Sequence, residues 1–289
     1  VLKSLFEEQL HHDSAELSDS LAAQTGIHGE VYEYLDAGVG LRYGSRQYLK
    51  TIQTAKQEVD IPVIASINCI DTQWWRDFAC EVEAAGADAL ELNIAVFPSA
   101  LSDAARAIED QYEAIVHVAR EAVKLPIAVK MGPYFSSLPE MLLRLTRAGA
   151  DGFTLFNRFY CPTIDIDAGQ VVVGNQFSQA NEIAPVLRAL TKLADRLNAD
   201  LAATTGILEG ADLVRVLLAG ADVAQIVTAI MTGGLGVIGE MLTFLEEWMD
   251  KHGYSCIGEF RASLCEERNP DSQFFNRYQY MAAYGTAVS

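Results

Sequence analysis

Short apolar runs alternate with amphipathic stretches along the 289 residues, and the helical stretches end repeatedly in Ala-Gly-Ala. A polar residue closes nearly every run. Together these observations predict an α/β fold with a parallel sheet and crossover helices, most simply a (β/α)₈ TIM barrel. A doubly wound open sheet is the alternative, although its first strands would normally carry a Gly-x-Gly-x-x-Gly turn, absent here.

The strands expected in chain order are Val1–Lys3, Ile61–Ser66, Ala89–Asn93, Ile127–Lys130, Gly152–Asn157, Leu201–Thr204 and Val223–Val227. Between and after them the 3.6-residue period predicts helices over 74–85, 102–123, 138–147, 211–218 and 236–252. In Ala85-Gly86-Ala87, Ala148-Gly149-Ala150 and Ala219-Gly220-Ala221, glycine supplies the left-handed C-cap that turns a helix toward the next strand. This count falls one short of the eight strands of a closed barrel, so roughly one βα unit, a few tens of residues, is expected upstream of Val1. A strand inside 28–50 is the other way to complete the count.

Two stretches break the rhythm. Residues 7–50 are polar with two Gly-rich segments, and 158–180 contain Thr163–Asp167 and Gln170–Val173 around Ala168-Gly169, a β-hairpin inserted after the sixth strand of the completed barrel. Both are expected as excursions on the active-site face of one single domain spanning 1–289.

Composition narrows the function. There are 21 basic against 39 acidic side chains, a formal charge of −18, and half the residues are hydrophobic. An acidic chain without a basic stripe speaks against nucleic acid and anionic membrane surfaces, and no apolar run is long enough to span a bilayer. Five cysteines without a Cys-x-x-Cys pair argue against a disulfide framework or an iron–sulfur cluster, and the adjacent His11 and His12 lack a carboxylate at metal-ligand spacing. A cytoplasmic protein handling a small molecule fits best, with no metal.

The catalytic face of a barrel lies at the C-terminal ends of its strands. Lys3, Ser66, Asn93, Lys130, Asn157, Thr204-Thr205-Gly206 and Thr228 fall there, an inventory suited to an anionic or electron-rich ligand. The loops after the last two strands offer backbone N–H groups and Thr hydroxyls for a phosphate. Ordinary β-to-α turns with Thr as helix cap would look the same.

In this order, Ile61–Ser66, Gly86–Asn93, Pro126–Lys130, Gly149–Asn157, Thr205–Ile207 and Gly220–Ala229 resemble the FMN-binding barrel of dihydroorotate dehydrogenases, as do Met249–Tyr254 and Glu259–Arg261. The resemblance implies an FMN-dependent oxidoreductase acting on CH–CH bonds, moving a hydride between a small anionic substrate and flavin N5. It implies Lys3 beside the flavin and the substrate, Lys130 at the edge where negative charge gathers in the reduced ring, and Ser66 and Asn93 hydrogen-bonded to ring or substrate. Asn157 would reach the substrate, and Thr205, Gly206, Val227 and Thr228 would hold the phosphate. A homodimer is implied as well; Phe274, Phe275, Tyr278 and Tyr280 either pack its interface or close the barrel floor.

The chain departs from the pattern where the family places its base. The family's Leu-Ser-Cys-Pro-Asn corresponds to Asn93-Ile-Ala-Val-Phe-Pro-Ser99, which puts Val96 or Phe97 at the base position, and neither takes a proton. The Asn-x-Met-Gly segment that grips orotate has no counterpart in Glu30–Leu35. FMN binding therefore carries over while the residues for dihydroorotate oxidation do not. Cys161 or Tyr160, with Tyr134 near the same mouth, is the candidate proton-transfer residue, set against a bystander thiol. Arg158 is the candidate for a substrate carboxylate, or else a partner of Asp165 or Asp167. Two other readings stay open: a Schiff-base lyase using Lys130, and a non-catalytic barrel that binds FMN or another phosphate ligand.

Overall fold

A computed structural model of the chain describes residues 1–6, 45–70, 72–96, 104–158 and 161–269. Residues 7–44 of the first excursion, His11, His12, Glu30–Leu35, Phe97, Tyr160 and Phe274–Tyr280 lie outside them. The chain divides into two compact units, one of residues 1–153 and 157–177 and one of 154–156 and 178–289.

The first unit opens with β1 (Leu5–Phe6), then α1 (Ser45–Glu58), β2 (Ile64–Asn68), α2 (Thr72–Ala84), β3 (Ala89–Asn93), α3 (Ala105–Ala122), β4 (Ile127–Met131), α4 (Leu138–Ala148) and the start of β5 (Gly152–Leu155). β1, β2, β3 and β4 lie side by side in that order, each pair parallel. The register aligns Ala65 with Leu90 and Ile67 with Leu92, and Leu90 and Leu92 with Ile127 and Val129. All six are fully buried, as are Trp75, Phe78, Ala79 and Val82 on the inner stripe of α2 and Tyr112, Ile115, Val116 and Ala119 on that of α3. Alternation then leaves the other face of the sheet to the remaining residues, most of them polar.

The opening strand sits later than Val1–Lys3, and the reason is a side chain. Leu2 N–H bonds the Ile64 carbonyl at 2.8 Å, and pairing resumes at Leu5. Between them the Tyr48 phenol, on α1, accepts from Ser66 N–H at 2.8 Å and donates to Ser66 C=O at 2.9 Å, taking both backbone groups from the ladder. Residues 45–50 are therefore the start of a core-forming helix rather than the end of an excursion. The same unit carries β6 (Pro162–Asp165) and β7 (Gln170–Val173), an antiparallel pair around the turn at Ala168-Gly169.

The second unit contains the end of β5, α5 (Ile183–Leu193), β8 (Asp200–Thr204), α6 (Gly210–Ala219), β9 (Val223–Gln225), α7 (Thr228–Gly233) and α8 (Gly236–His252). β8 and β9 are parallel. Helices α5 and α7 have no counterpart among the expected elements. Pro185 sits in the first turn of α5, where its missing N–H costs nothing. The core here is Val214, Leu217, Leu245 and Phe260, with Trp248 between His252 and Tyr254, its ring centroid 4.3 Å and 5.7 Å from theirs.

One local device recurs in both units. Gly86, Gly149 and Gly220 end their helices in the left-handed conformation. The next residue, Ala87, Ala150 or Ala221, is buried, and the Asp that follows binds the start of the preceding strand. Asp88 accepts from Val63 N–H at 2.6 Å, Asp151 from Ile127 N–H at 2.8 Å and Asp222 from Leu201 N–H at 2.9 Å. Lys56, Arg120 and Arg261 pair with the three carboxylates. No helix among the described residues is long and apolar enough to cross a membrane.

Candidate functional site

Because a sheet face repeats every second residue, the register that buries the leucines of β3 places Glu91 and Asn93 on the opposite face. There Ser66 stands across from Glu91 and Lys130 across from Asn93. Ser66, Glu91 and Asn93 are buried, with 1%, 2% and 0% of their surface exposed, and Asn157, just beyond β5, with 3%. Lys130 is half-buried.

These side chains form one connected line in the first unit. Asn157 Nδ2 donates to Asn93 Oδ1 at 2.6 Å, and Asn93 Nδ2 donates to Ser4 Oγ at 3.1 Å. Ser4 Oγ and Ser66 Oγ are 2.8 Å apart, and Ser66 Oγ donates to Glu91 Oε1 at 2.9 Å. Among the described residues two buried amide atoms have no hydrogen-bond partner: Asn157 Oδ1, an acceptor, and Asn68 Nδ2, a donor, the latter two residues beyond Ser66. Buried polar atoms are almost always paired, so an orphan donor and an orphan acceptor mark places for a ligand's polar edge. Burial drives the Tyr48 phenol well above its ordinary pKa; the Ser66 N–H it accepts works the other way, and the Glu91 carboxylate adds to the rise.

Of the residues expected here, Ser66, Asn93 and Asn157 are brought together. Lys3 is exposed and precedes β1, and its neighbour Ser4 bridges Asn93 and Ser66. Tyr48, Ser4, Asn68 and Glu91 were not among the expected site residues. Asn68 was legible in principle, since Ser66-Ile67-Asn68 continues the polar alternation past the expected end of the strand.

Arg158 bonds the carbonyls of Asn175 at 2.7 Å and Gln176 at 3.0 Å, which orders the segment after the hairpin. Cys161 is exposed at the foot of the hairpin, its carbonyl accepting from Gly174 N–H at 2.9 Å, and takes no part in the line of hydrogen bonds. Tyr134 is 79% exposed. Val96 is half-buried, with its N–H at 3.5 Å from the Tyr112 hydroxyl, which in turn donates to Ile94 C=O at 3.2 Å.

In the second unit, Thr205 and Gly206 are successive left-handed residues, with φ of 77° and 75°. The Thr205 hydroxyl donates to Phe156 C=O at 3.1 Å. A Cβ at Gly206 would lie 2.4 Å from Ile183 N, so only glycine lets this turn meet the start of α5. Thr228 Oγ accepts from Ser178 N–H at 3.1 Å and lies 2.9 Å from Ser178 Oγ, while Val227 is 69% exposed. Gln225 Nε2 donates to Thr154 Oγ at 3.3 Å. This unit thus presents two turns rich in backbone N–H groups and hydroxyls, the residue types that hold phosphate.

Comparison with known proteins gives these residues a context. The profile of a family described as Dihydroorotate dehydrogenase matches residues 38–249. The catalytic subunit of dihydroorotate dehydrogenase B (NAD(+)) from Pyrococcus abyssi is 32% identical over 212 residues, which are 71% of this chain and 69% of that protein. The same subunit from Pyrococcus furiosus is 30% identical over 71% of this chain and 69% of that protein, and that from Thermoplasma volcanium 27% over 79% and 78%.

Proposed function

The chain belongs to the dihydroorotate dehydrogenase family, and from that membership we propose that it is an FMN-dependent oxidoreductase on a (β/α)₈ barrel, moving a hydride between a small anionic substrate and flavin N5. The observation that carries this reading is the buried polar line of the first unit, with its orphan donor on Asn68 and orphan acceptor on Asn157. A flavin ring presents acceptors along its edge for the Asn68 donor, and a polar substrate beside it presents a donor for the Asn157 acceptor. An apolar ligand would leave both unpaired, and one that only accepts hydrogen bonds would leave the Asn157 acceptor unpaired.

In this reading FMN, when bound, supplies the hydride acceptor. Ser66 and Asn93, held by their bonds to Ser4 and Asn157, are placed to orient the ring. The Lys130 ammonium favours the negative charge of reduction. Lys3 and Asn157 face the substrate, and Arg158 shapes the segment beside it through the carbonyls it holds. Thr205, Gly206, Val227 and Thr228 hold the phosphate. Of the candidate catalytic set Lys3, Lys130 and Cys161, the reading keeps the two lysines. Dihydroorotate itself is not assigned, because the aliphatic Val96 cannot act as a base. The partners are the small substrate and a second copy of the chain.

The test is reconstitution of the purified chain with FMN, read by its visible spectrum after removal of free flavin. Retained flavin bands are expected. In Lys130→Met the bands remain, while the flavin becomes harder to reduce. A chain that retains no flavin overturns the reading.

A further inference from the structure

Chemistry fixes the direction of the line from Asn157 to Glu91. A carboxylate only accepts, so Ser66 gives its one hydroxyl proton to Glu91. The 2.8 Å bond between the two serines is then donated by Ser4, and Ser4 in turn accepts from Asn93. If Glu91 carries a proton, both hydroxyls turn round: Glu91 donates to Ser66, Ser66 to Ser4, and the Ser4 proton points away from the line. Passing between the two states moves one proton through two hydroxyls and displaces no heavy atom. Of the five residues, Ser4 alone is half-buried, and Ser66, Glu91, Asn93 and Asn157 are each at most 3% exposed. The hydroxyl segment of the line therefore opens at Ser4 and closes at Glu91.

We propose that this line is the proton acceptor of the reaction, with Ser4 the group that meets the substrate and Glu91 the group on which the proton comes to rest. The inference rests on the flavin reading above. When the substrate is oxidised, one hydrogen leaves carbon with its electron pair as hydride to the flavin. The second leaves as a proton to Ser4 Oγ as its carbon–hydrogen electron pair becomes the new double bond. Ser4 passes its own proton to Ser66, and Ser66 passes its own to Glu91, so one carboxylate becomes a carboxylic acid for every electron pair transferred. Lys130 lies on the same sheet face as Glu91, and the Tyr48 phenol couples to the carboxylate electrostatically. Negative charge arriving on a neighbouring ring favours the acid after reduction.

The experiment needs no substrate. The FMN-loaded chain, with its glutamates carboxyl-labelled with ¹³C, is reduced photochemically and followed by infrared difference spectroscopy. The midpoint potential of the flavin is measured against pH in parallel. A carboxylic-acid carbonyl band that appears on reduction, moves with the label and is missing in Glu91→Gln is expected. The potential of that variant should lose the pH dependence of one proton per two electrons, about 30 mV per pH unit. In Ser66→Ala, which keeps the carboxylate but cuts the line, the band should lag behind flavin bleaching. An unlabelled wild-type spectrum with no such band, or identical pH dependences in wild type and Glu91→Gln, overturns the relay while leaving the flavin reading intact. A chain that binds no FMN overturns both.

Discussion

The Tyr48 hydroxyl satisfies two backbone groups of Ser66 that would otherwise pair with a strand. Tyr48→Phe leaves both buried without partners, and each such loss costs about 1–3 kcal/mol. Denaturant unfolding should show a lower midpoint for this variant with an unchanged slope, because the area exposed on unfolding hardly changes. Tyr112 makes the second prediction. Burial pushes its phenol up to about 12, with the Val96 N–H opposing in part. The folded chain then holds this proton where the unfolded chain, with a phenol near pH 10, releases it. The contribution is whole below about pH 10 and is lost as pH rises from there toward 12. Wild type should therefore lose stability over that window more steeply than Tyr112→Phe, as read from thermal melts at fixed pH steps.

Between residues and fold stands the helix-to-strand turn. Gly220 and Gly86 share a left-handed backbone, but their surroundings differ. A Cβ at Gly220 would sit 2.2 Å from Ala194 Cβ, whereas at Gly86 nothing lies within 4 Å. Gly86→Ala should cost only the backbone penalty, about 1 kcal/mol. Gly220→Ala should cost clearly more, because α6 must move off Ala194. Urea midpoints of the two variants check the order, and equal losses would show that the contact relaxes freely. A different kind of anchoring holds α3 to α4. Arg144, nearly buried, meets Glu109 at 3.0 Å, Asp110 at 2.5 Å and Glu113 at 2.7 Å, and these carboxylates hold its charge more firmly than usual. Hydrogen bonding to Glu113 is the largest cause of that rise.

For the molecule as a whole, a formal charge of −18 is a standing self-repulsion. At neutral pH the thermal midpoint should rise as salt is raised from low ionic strength, since the Debye length shrinks from about 30 Å at 0.01 M to about 10 Å at 0.1 M. A midpoint that falls over this range would mean that ion pairs such as Arg144 with its three acids outweigh the net repulsion.

The sequence by itself determined the α/β class, most of the strands and helices in their order, and the family. Each of these is written in local patterns: alternation, the 3.6-residue period, and Gly-Ala-Asp after a helix. β3 at Ala89–Asn93 and α8 at Gly236–His252 lie where periodicity placed them. The candidate residues Ser66, Asn93 and Asn157 were legible as polar ends of apolar runs. What joins them was not, because the bonds span 62 residues from Ser4 to Ser66, 89 from Ser4 to Asn93 and 64 from Asn93 to Asn157. No local pattern encodes such pairings. Only the tertiary structure could bring Ser4 into the line, insert Tyr48 into a ladder, turn Arg158 onto two carbonyls and leave Asn68 and Asn157 each with an unpaired amide atom. Periodicity reports which face a residue occupies, while the partner it meets there is set by strand register, which depends on every element packed against the sheet.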